Sequence, residues 1–298
     1  MTAPARPAVA VTLPTMGPHA GPESIATVAR AADRLGLYGV AATERLLLPA
    51  HEGWDNWAGL PDTYVWDPIE ALTYAAAVTT RVRLSTGIVN ALFEAPILLA
   101  RRLATLDRLS GGRLDVGLGQ GWLAEEFVAV GVPTGRRGAG FEEHLAAVRA
   151  CWGPDPVEHE GEHYRIPRSK VGPKPVQGAD IPLMIGAVAA PAVERAARLG
   201  AGFVTGVRDW ATSAGEIATY RAAGGPGRVA VQVMSTWGAA LDDPADAFVA
   251  WAVGEVDHAG EAGADEVRFE LNLTGVAVDR QVGALEALAD ALSLRPDG

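Results

Sequence analysis

The chain has 298 residues, of which 49% are hydrophobic and 20% are charged, a balance typical of a globular protein with a large core. The formal net charge of −11 argues against nucleic acid as the main partner, because binding to a phosphate backbone needs a basic surface. The one cysteine excludes an internal disulfide framework, and no stretch resembles a secretory signal or a membrane span of about 18 apolar residues. We therefore expect a cytoplasmic protein.

Segments with strand and helix patterns alternate along the chain, with eight of each. The predicted strands are 8–13, 38–43, 82–88, 114–118, 182–186, 202–206, 228–237 and 266–271. The predicted helices are 23–35, one that starts at Pro68, 97–109, 141–151, 190–199, 210–222, 244–262 and 280–292. Eight such repeats predict an α/β fold of the (β/α)₈ TIM-barrel type. The alternative, a doubly wound sheet, has fewer strands and often a glycine-rich first turn. We expect a single domain over 1–298, with an excursion rich in Pro, Gly and charge around 153–180.

Two conspicuous segments follow the third and fourth predicted strands, on either side of the helix 97–109. They are 86–90 (TGIVN) and 119–122 (GQGW). The carboxyl ends of parallel strands form the ligand-binding end of α/β folds, so both segments are candidates for a ligand site. Gly87 within a strand indicates a bulge or a close approach of the backbone to a ligand.

A charged pair and an aromatic loop are predicted at the same end of the barrel. Glu44 and Arg45 directly follow the second buried strand, a position that favours a role in a pocket over a surface ion pair. The loop after them is long and carries three tryptophans, Trp54, Trp57 and Trp66. These rings either cap the core of the barrel or form an apolar slot for a planar ring.

Other motifs give weaker signals. The glycines of 117–121 resemble a dinucleotide-binding turn, but Trp122 stands where that fingerprint needs its last glycine. The segment 159–163 (HEGEH) is compatible with metal ligands, and a solvated hairpin explains it as well, so we predict no metal site. Cys151 lies late in a helix, which favours a core residue over a nucleophile.

At this point the residues show a resemblance to a known family. The run 102–133 (RLATLDRLSGGRLDVGLGQGWLAEEFVAVGVP) resembles the luciferase-like monooxygenase superfamily, in particular its branch of coenzyme F420-dependent oxidoreductases. Shorter stretches support it in the family's order: GLYGVAATERLLLP, STGIV, GEHYRIP, GPKPVQ and IPLMIGAVAAPAVERAARLGAGFVT. The resemblance covers the chain from about residue 35 to residue 205. It implies a (β/α)₈ barrel with an excursion after the fourth helix, usually a homodimer, with a flavin or deazaflavin ring at the carboxyl ends of the strands.

The resemblance also assigns roles to residues. A bulge with a non-proline cis peptide, here at Gly87–Ile88, supports the ring in this family. Glu44 and Arg45 stand where relatives carry an Asp–His pair that contacts ring or substrate, and we assign them as the catalytic candidates. Trp54, Trp57 and Trp66 are assigned to the substrate pocket. The residues assigned to the cofactor are Gly87, Ile88, Val89, Asn90, Gln120, Gly121, Trp122, Gly186, Ala187, Val188, Thr205, Gly206 and, as a partner of the phosphate, Arg208.

Departures from the family pattern narrow the expected activity. Sugar-phosphate dehydrogenases of the family carry His and Glu as acid/base groups where this chain has Arg45 and Trp122, neither of which titrates near neutral pH. The common Gly-Gly-Asn after the fifth strand is Gly-Ala-Val at 186–188. We therefore expect hydride transfer between F420 and a small organic substrate, as in alkene or imine reduction. The alternatives are an FMN-dependent monooxygenase that uses reduced flavin and O₂, and a non-catalytic flavin-binding relative.

Overall fold

The computed structural model describes residues 6–234 and 245–295. Its strands are β1 (Ala8–Thr12), β2 (Gly39–Ala42), β3 (Arg83–Thr86), β4 (Val89–Asn90), β5 (Leu114–Gly119), β6 (Val157–Glu160), β7 (Arg165–Ser169), β8 (Leu183–Gly186), β9 (Gly202–Val207), β10 (Val229–Met234) and β11 (Glu266–Glu270). Its helices are α1 (Pro22–Leu35), α2 (Pro68–Ala77), α3 (Pro96–Leu109), α4 (Ala124–Ala129), α5 (Ala139–Trp152), α6 (Ala190–Arg198), α7 (Trp210–Ala222), α8 (Ala245–Ala262) and α9 (Val278–Ala291).

The long sheet closes on itself as a barrel of parallel strands. Its order is β3-β2-β1-β11-β10-β9-β8-β5, and β5 also pairs with β3, which joins the two ends. Helices separate successive strands of the barrel. The predicted TIM barrel is therefore confirmed. Among the described residues, no helix combines the length and the apolar character needed to cross a membrane.

The predicted elements are present, with ends that differ by a few residues. Helix α7 has the predicted bounds because Asp209 caps it, accepting a hydrogen bond from the backbone N–H of Thr212 at 2.8 Å. Asp67 caps α2 in the same way, and Pro68 occupies its first turn as predicted. Short helix α4 was not predicted, and the predicted third strand is interrupted after Thr86. The last three residues of the predicted strand 228–237 and the first residue of the predicted helix 244–262 lie outside the described residues.

The excursion between α5 and β8 contains an antiparallel hairpin, β6–β7. The carboxylate of Glu143 on α5 accepts hydrogen bonds from the backbone N–H groups of His163 (2.8 Å) and Tyr164 (2.7 Å). The HEGEH segment is therefore the turn of a hairpin tied to α5. Within the described ranges, no three His, Cys, Asp or Glu side chains are grouped as metal ligands. Cys151 is buried, and burial raises the pKa of its thiol.

Charged side chains fill part of the barrel interior. Arg268 on β11 is fully buried, and its Nε donates to Oε1 of Glu266 at 2.7 Å. Arg228 donates to the other oxygen of Glu266 at 2.9 Å, and Arg83 donates to Asp115 at 2.8 Å. Buried charges are tolerated where each has such a partner. Part of the interior is therefore occupied by ion pairs, both within β11 and between neighbouring strands.

Strands β3 and β5 approach closely just below the carboxyl end of the barrel. The Thr86 hydroxyl accepts from the backbone N–H of Gly117 (2.7 Å) and donates to its carbonyl (2.8 Å). A Cβ atom at position 117 would lie 2.1 Å from the Thr86 carbonyl oxygen, which is far inside van der Waals contact. Glycine is therefore required at this position.

Substitution of that glycine tests the closeness of the two strands. Gly117→Ala should lower the free energy of unfolding by at least about 2 kcal/mol, because backbone atoms must move apart to admit the methyl group. Chemical denaturation measures the change. The control is Gly283→Ala on α9, where a Cβ meets no atom within 4 Å. Its effect should be neutral or stabilising by up to about 1 kcal/mol. Equal stability of Gly117→Ala and the wild type would contradict the described packing.

Candidate active site

The carboxyl end of β3 is followed by a bulge that is held by the end of β2. The peptide bond between Gly87 and Ile88 is cis, as the resemblance predicts, and the chain then pairs with β5 again as β4. The Thr43 hydroxyl donates to the Gly87 carbonyl at 3.1 Å, and the backbone N–H of Glu44 donates to the Ile88 carbonyl at 3.2 Å. The segment 43–44 therefore fixes the position of the bulge.

Two glycines make room for the Ile88 side chain. A Cβ atom at Gly119 would lie 2.2 Å from Ile88 Cδ1, and one at Gly186 would lie 2.6 Å from the same atom. Ile88 thus contacts both β5 and β8 at the mouth of the barrel. It presents an apolar surface at the point where the resemblance expects a ring to rest.

A cavity of about 320 Å³ opens above this surface. It brings together most of the residues assigned to the cofactor from the sequence, together with neighbours that were not. Its lining consists of Gly87, Ile88, Asn90, Gln120, Gly121, Trp122, Gly186, Ala187, Val188, Ala189, Ala192, Val204, Thr205, Gly206 and Gln232. We call this space the ring cavity.

Two residues assigned to the cofactor do not line the ring cavity. Val89 is buried in β4 and belongs to the hydrophobic core. The Arg208 side chain is 65% exposed, and its guanidinium lies 3.5 Å from the carboxylate of Glu216. Gln120 does line the cavity, but its side-chain oxygen accepts from the backbone of Gly138 (2.9 Å) and from Arg195 (3.2 Å).

One end of the ring cavity is formed by the start of α6. Ala189 precedes this helix without a side-chain cap, and Ala189 and Ala192 line the cavity. Pro191 has no N–H, and Ala192 and Val193 donate to the Ala189 carbonyl. The backbone N–H groups of 188–190 donate no hydrogen bond within the described residues, and with the helix dipole they favour a bound anion. Among the described residues, no Lys or Arg lines this cavity. An anion at this end would therefore depend on backbone donors.

Glu44 is held between the bulge and the loop that follows β2. Its Oε2 accepts a hydrogen bond from the backbone N–H of Asn90 at 2.7 Å. Burial raises the pKa of Glu44 to about 7, although the Asn90 hydrogen bond opposes the shift. A carboxyl group with this pKa both accepts and donates protons at neutral pH.

Arg45 takes part in a small cluster with two predicted aromatic residues. Its guanidinium lies 5.0 Å from the centre of the Trp122 ring and 3.5 Å from Glu126 Oε1. Glu126 also accepts from the backbone N–H of Leu46 at 2.8 Å. The Trp57 ring packs edge-on against Trp122 with centroids 5.3 Å apart. The carboxylate of Glu126 therefore offsets the charge of Arg45, although Arg45 Nη1 has no hydrogen-bond partner within the described residues.

The other two predicted tryptophans contribute less. Trp54 is half-buried and Trp66 is 43% exposed. Neither is among the residues that line the ring cavity or the second cavity described next. Of the tryptophans assigned to the substrate pocket, Trp57 makes a ring contact with Trp122, which lines the ring cavity.

A second cavity of about 170 Å³ lies beside the ring cavity, with which it shares Gln232. Both catalytic candidates line it. The full lining is Met16, Thr43, Glu44, Arg45, Leu48, Leu60, Pro61, Thr63, Val65, Gln232, Met234, Glu270 and Leu273. We call this space the acid cavity, after Glu44 and Glu270.

Glu270 was not predicted as a site residue. It ends β11 with 1% of its surface exposed, and its Oε1 accepts from the backbone N–H of Asn272 at 2.7 Å. Burial raises its pKa to about 7. A signal was present in the sequence, because Glu266, Arg268 and Glu270 recur with period two in a strand that is otherwise apolar. This pattern directs all three side chains to the barrel interior.

The chain belongs to the luciferase-like monooxygenase family, whose model matches residues 3–295. An uncharacterised protein of Mycobacterium tuberculosis is 44% identical over 133 residues, 44% of this chain and 47% of that relative. The oxygenase component of a flavin-dependent trigonelline monooxygenase from Acinetobacter baylyi is 33% identical over 123 residues, 41% and 34% of the two chains. An F420-dependent glucose-6-phosphate dehydrogenase from Amycolatopsis mediterranei is 28% identical over 188 residues, 62% and 53%. The chain spans about half the length of the curated relatives it matches.

Solved structures agree on the fold. A monooxygenase from Streptomyces bottropensis superposes with a TM-score of 0.75 at 24% identity, covering 96% of this chain and 98% of that one. A coenzyme F420-dependent tetrahydromethanopterin reductase from Methanopyrus kandleri gives 0.70 at 17% identity, covering 98% and 100%. The chain therefore belongs to a family of oxidoreductases and monooxygenases, and its relatives include F420-dependent and flavin-dependent proteins.

The raised pKa of Glu44 predicts a pH-dependent stability. The pKa is 4.5 for an ordinary glutamate and about 7 here, so the folded state binds the proton more tightly and the wild type loses stability as pH rises through this window. Glu44→Gln has no proton to lose. Its stability relative to the wild type should therefore rise by up to about 3 kcal/mol between pH 4.5 and 8.

Denaturant unfolding at several pH values measures this difference. The control is Glu52→Gln, which makes the same charge change on an exposed residue of the following loop. Its stability relative to the wild type should change little over the same range. A flat difference for Glu44→Gln as well would show that burial does not hold the proton on Glu44.

Proposed function

We propose that this protein is an F420-dependent oxidoreductase that transfers hydride between the deazaflavin and a small organic substrate. The ring cavity would take the deazaflavin, and the acid cavity would take the substrate beside it. When bound, the deazaflavin supplies the hydride chemistry. The observation that carries the proposal is the end of the ring cavity beside α6, where, among the described residues, the backbone N–H groups of 188–190 are without hydrogen-bond partners and the lining contains no lysine or arginine.

The charge of the cofactor decides between the two candidates at this end. FMN ends in a phosphate monoester, which carries a charge of about −1.5 to −2 at neutral pH. F420 has a phosphodiester at the corresponding place, with a single charge. Backbone N–H groups at the start of α6 suit the smaller charge, because desolvating a doubly charged group without a cation costs more free energy. We assign Arg208, whose guanidinium is exposed, to the carboxylates of the F420 tail.

The remaining residues fit the ring and its reaction. Ile88 offers an apolar face, and a Cβ at Gly206 would meet no atom within 4 Å, so this part of the lining leaves open space for a planar group. Trp122 lines one side of the cavity, and the Arg45 guanidinium and the Trp57 ring, which is 76% exposed, pack against it. Glu44 holds the bulge through Asn90 and can exchange a proton with a group in the acid cavity.

A flavin-dependent monooxygenase is the second candidate. It is favoured by the trigonelline monooxygenase component, which is more similar in sequence over its matched segment than the F420-dependent dehydrogenase is. In that case the ring cavity would take reduced FMN, and the acid cavity would take the substrate to be oxygenated.

Equilibrium titration with F420 and with FMN tests the proposal. The wild type should bind F420 at least about tenfold more tightly than FMN, a difference of about 1.4 kcal/mol. Ala192→Glu places a carboxylate at the anion-binding end and should weaken F420 binding by at least tenfold. Ala192→Gln, of nearly the same size but uncharged, should weaken it much less. Tighter binding of FMN would overturn the F420 proposal in favour of oxygen-dependent chemistry.

We also propose that the protein acts as a cytoplasmic homodimer. The support is a pair of exposed leucines on α3, Leu98 (51%) and Leu109 (61%), which line a cleft between α2 and α3 together with charged residues of both helices. Sedimentation velocity should give the mass of a dimer, and Leu98→Asp should shift it towards the monomer. The control Val128→Asp changes an apolar residue on α4 that is 81% exposed, and should leave the mass unchanged. A monomeric wild type would contradict the proposal.

A further inference from the structure

One oxygen of Glu270 has no hydrogen-bond partner although the residue is 1% exposed. Its other oxygen, Oε1, is fixed by the backbone N–H of Asn272, and the Asn272 side chain is itself held by the Leu13 carbonyl at 2.8 Å. The Thr12 hydroxyl, on the neighbouring strand, donates to the Phe269 carbonyl at 3.3 Å, and it is also near enough to the Glu270 carboxyl to oppose the rise of its pKa on burial. The carboxyl group is therefore fixed in orientation with Oε2 unpartnered, on a residue that lines the acid cavity.

The charges around the acid cavity do not compensate Glu270. Glu44 is the other carboxyl group in its lining, and Arg45 is the one cation there among the described residues. Arg45 lies 3.5 Å from the buried carboxylate of Glu126 and over the Trp122 ring, which offset its charge, although its Nη1 donates no hydrogen bond within the described residues. The rest of the lining is mainly apolar. Two carboxyl groups thus border one mainly apolar space, and the one cation in its described lining is in an ion pair with a third carboxylate, that of Glu126.

A ligand with an N–H donor or a positive charge satisfies such a space best. An unpartnered buried oxygen costs free energy until a donor reaches it, and an anionic ligand would be repelled by both carboxyl groups. Glu270, with a pKa of about 7, also holds a proton that it can give at neutral pH. A basic nitrogen fits both properties, since it accepts that proton and is then a cation beside two carboxyl groups.

Resting on the proposed hydride transfer, we propose that the acid cavity selects imines and their amine products, and that Glu270 Oε2 gives the proton to the substrate nitrogen. The imine carbon receives the hydride from the reduced deazaflavin, and the nitrogen receives the proton from Glu270. The carbon–nitrogen π bond breaks, while one C–H and one N–H bond form. The imine gains two electrons, the deazaflavin loses them with the hydride, and Glu270 regains its proton from water.

Calorimetric titration with benzylamine and benzyl alcohol tests the selectivity without a known substrate. The two probes have the same ring, and only the amine is cationic at pH 7. The wild type, saturated with F420, should bind benzylamine at least tenfold more tightly than benzyl alcohol. Glu270→Gln should reduce this preference to less than threefold, because the amide cannot balance the cation.

The same titrations in two buffers of different ionisation enthalpy measure proton release. Benzylammonium should drive the Glu270 carboxyl to ionise, so the wild type should release protons on binding, and Glu270→Gln should release markedly fewer. The control Glu52→Gln keeps the charge change but lies on the exposed loop, and it should retain both the preference and the proton release. Thermal unfolding of each variant confirms that it is folded.

Equal affinity of the wild type for the two probes, or no measurable binding of benzylamine, would overturn the inference. A preference that survives in Glu270→Gln would overturn the role of Glu270. Each titration is repeated without F420, so the two proposals fail separately. If the protein does not bind F420 but still prefers benzylamine, only the proposed function is contradicted. If it binds F420 but shows no preference for benzylamine, only this inference is contradicted.

Discussion

The Ile88 side chain lies in space that exists because glycine occupies positions 119 and 186 on two neighbouring strands. The bulge that carries Ile88 is held from below by the contact between Thr86 and Gly117, and from the side by Thr43 and Glu44. A side chain at either glycine would push Ile88 out of this position. The floor of the ring cavity, and the site above it, depend on this close packing at the mouth of the barrel.

The carboxyl groups of the barrel fall into two sets with different surroundings. Glu266 and Asp115, in the interior, are paired with arginines from neighbouring strands. Glu44 and Glu270, at the carboxyl end, receive hydrogen bonds from backbone N–H groups but have no ion pair with an arginine or lysine within the described residues. Burial consequently raises the pKa of both to about 7. A carboxyl group left without a cation beside a cavity is expected of a functional site rather than of a structural one.

Much of the fold could be predicted because its signals are local. Helix periodicity and the capping residues Asp67 and Asp209 fixed where α2 and α7 begin. The interruption after Thr86 was not visible from the alternation of apolar residues, which continues to Ile88. A glycine within a strand indicated a bulge or a ligand contact at Gly87, and the cis peptide bond at Gly87–Ile88 was expected only through the family resemblance. Helix α4, with six residues, is too short to show a helical period.

The candidate site was only partly predictable because it depends on distant contacts. The position of Gly87, Gln120 and Trp122 around one cavity follows from their place after parallel strands. The ion pair of Arg45 joins it to Glu126, 81 positions later in the chain, and no local sequence pattern indicates a contact over that distance. Glu270 was missed because a charged residue at the end of a predicted strand is ordinarily taken as a solvent-exposed boundary. Arg208 was assigned from its place in the sequence, and its side chain proved to be exposed.

A crystal structure of the protein soaked with F420 would test the assignment of the ring cavity most directly. The deazaflavin should lie against Ile88, near Gln120 and Trp122, with the phosphodiester at 187–189, where α6 starts. A ring bound elsewhere on the barrel, or crystals without bound F420 at a saturating concentration, would contradict it.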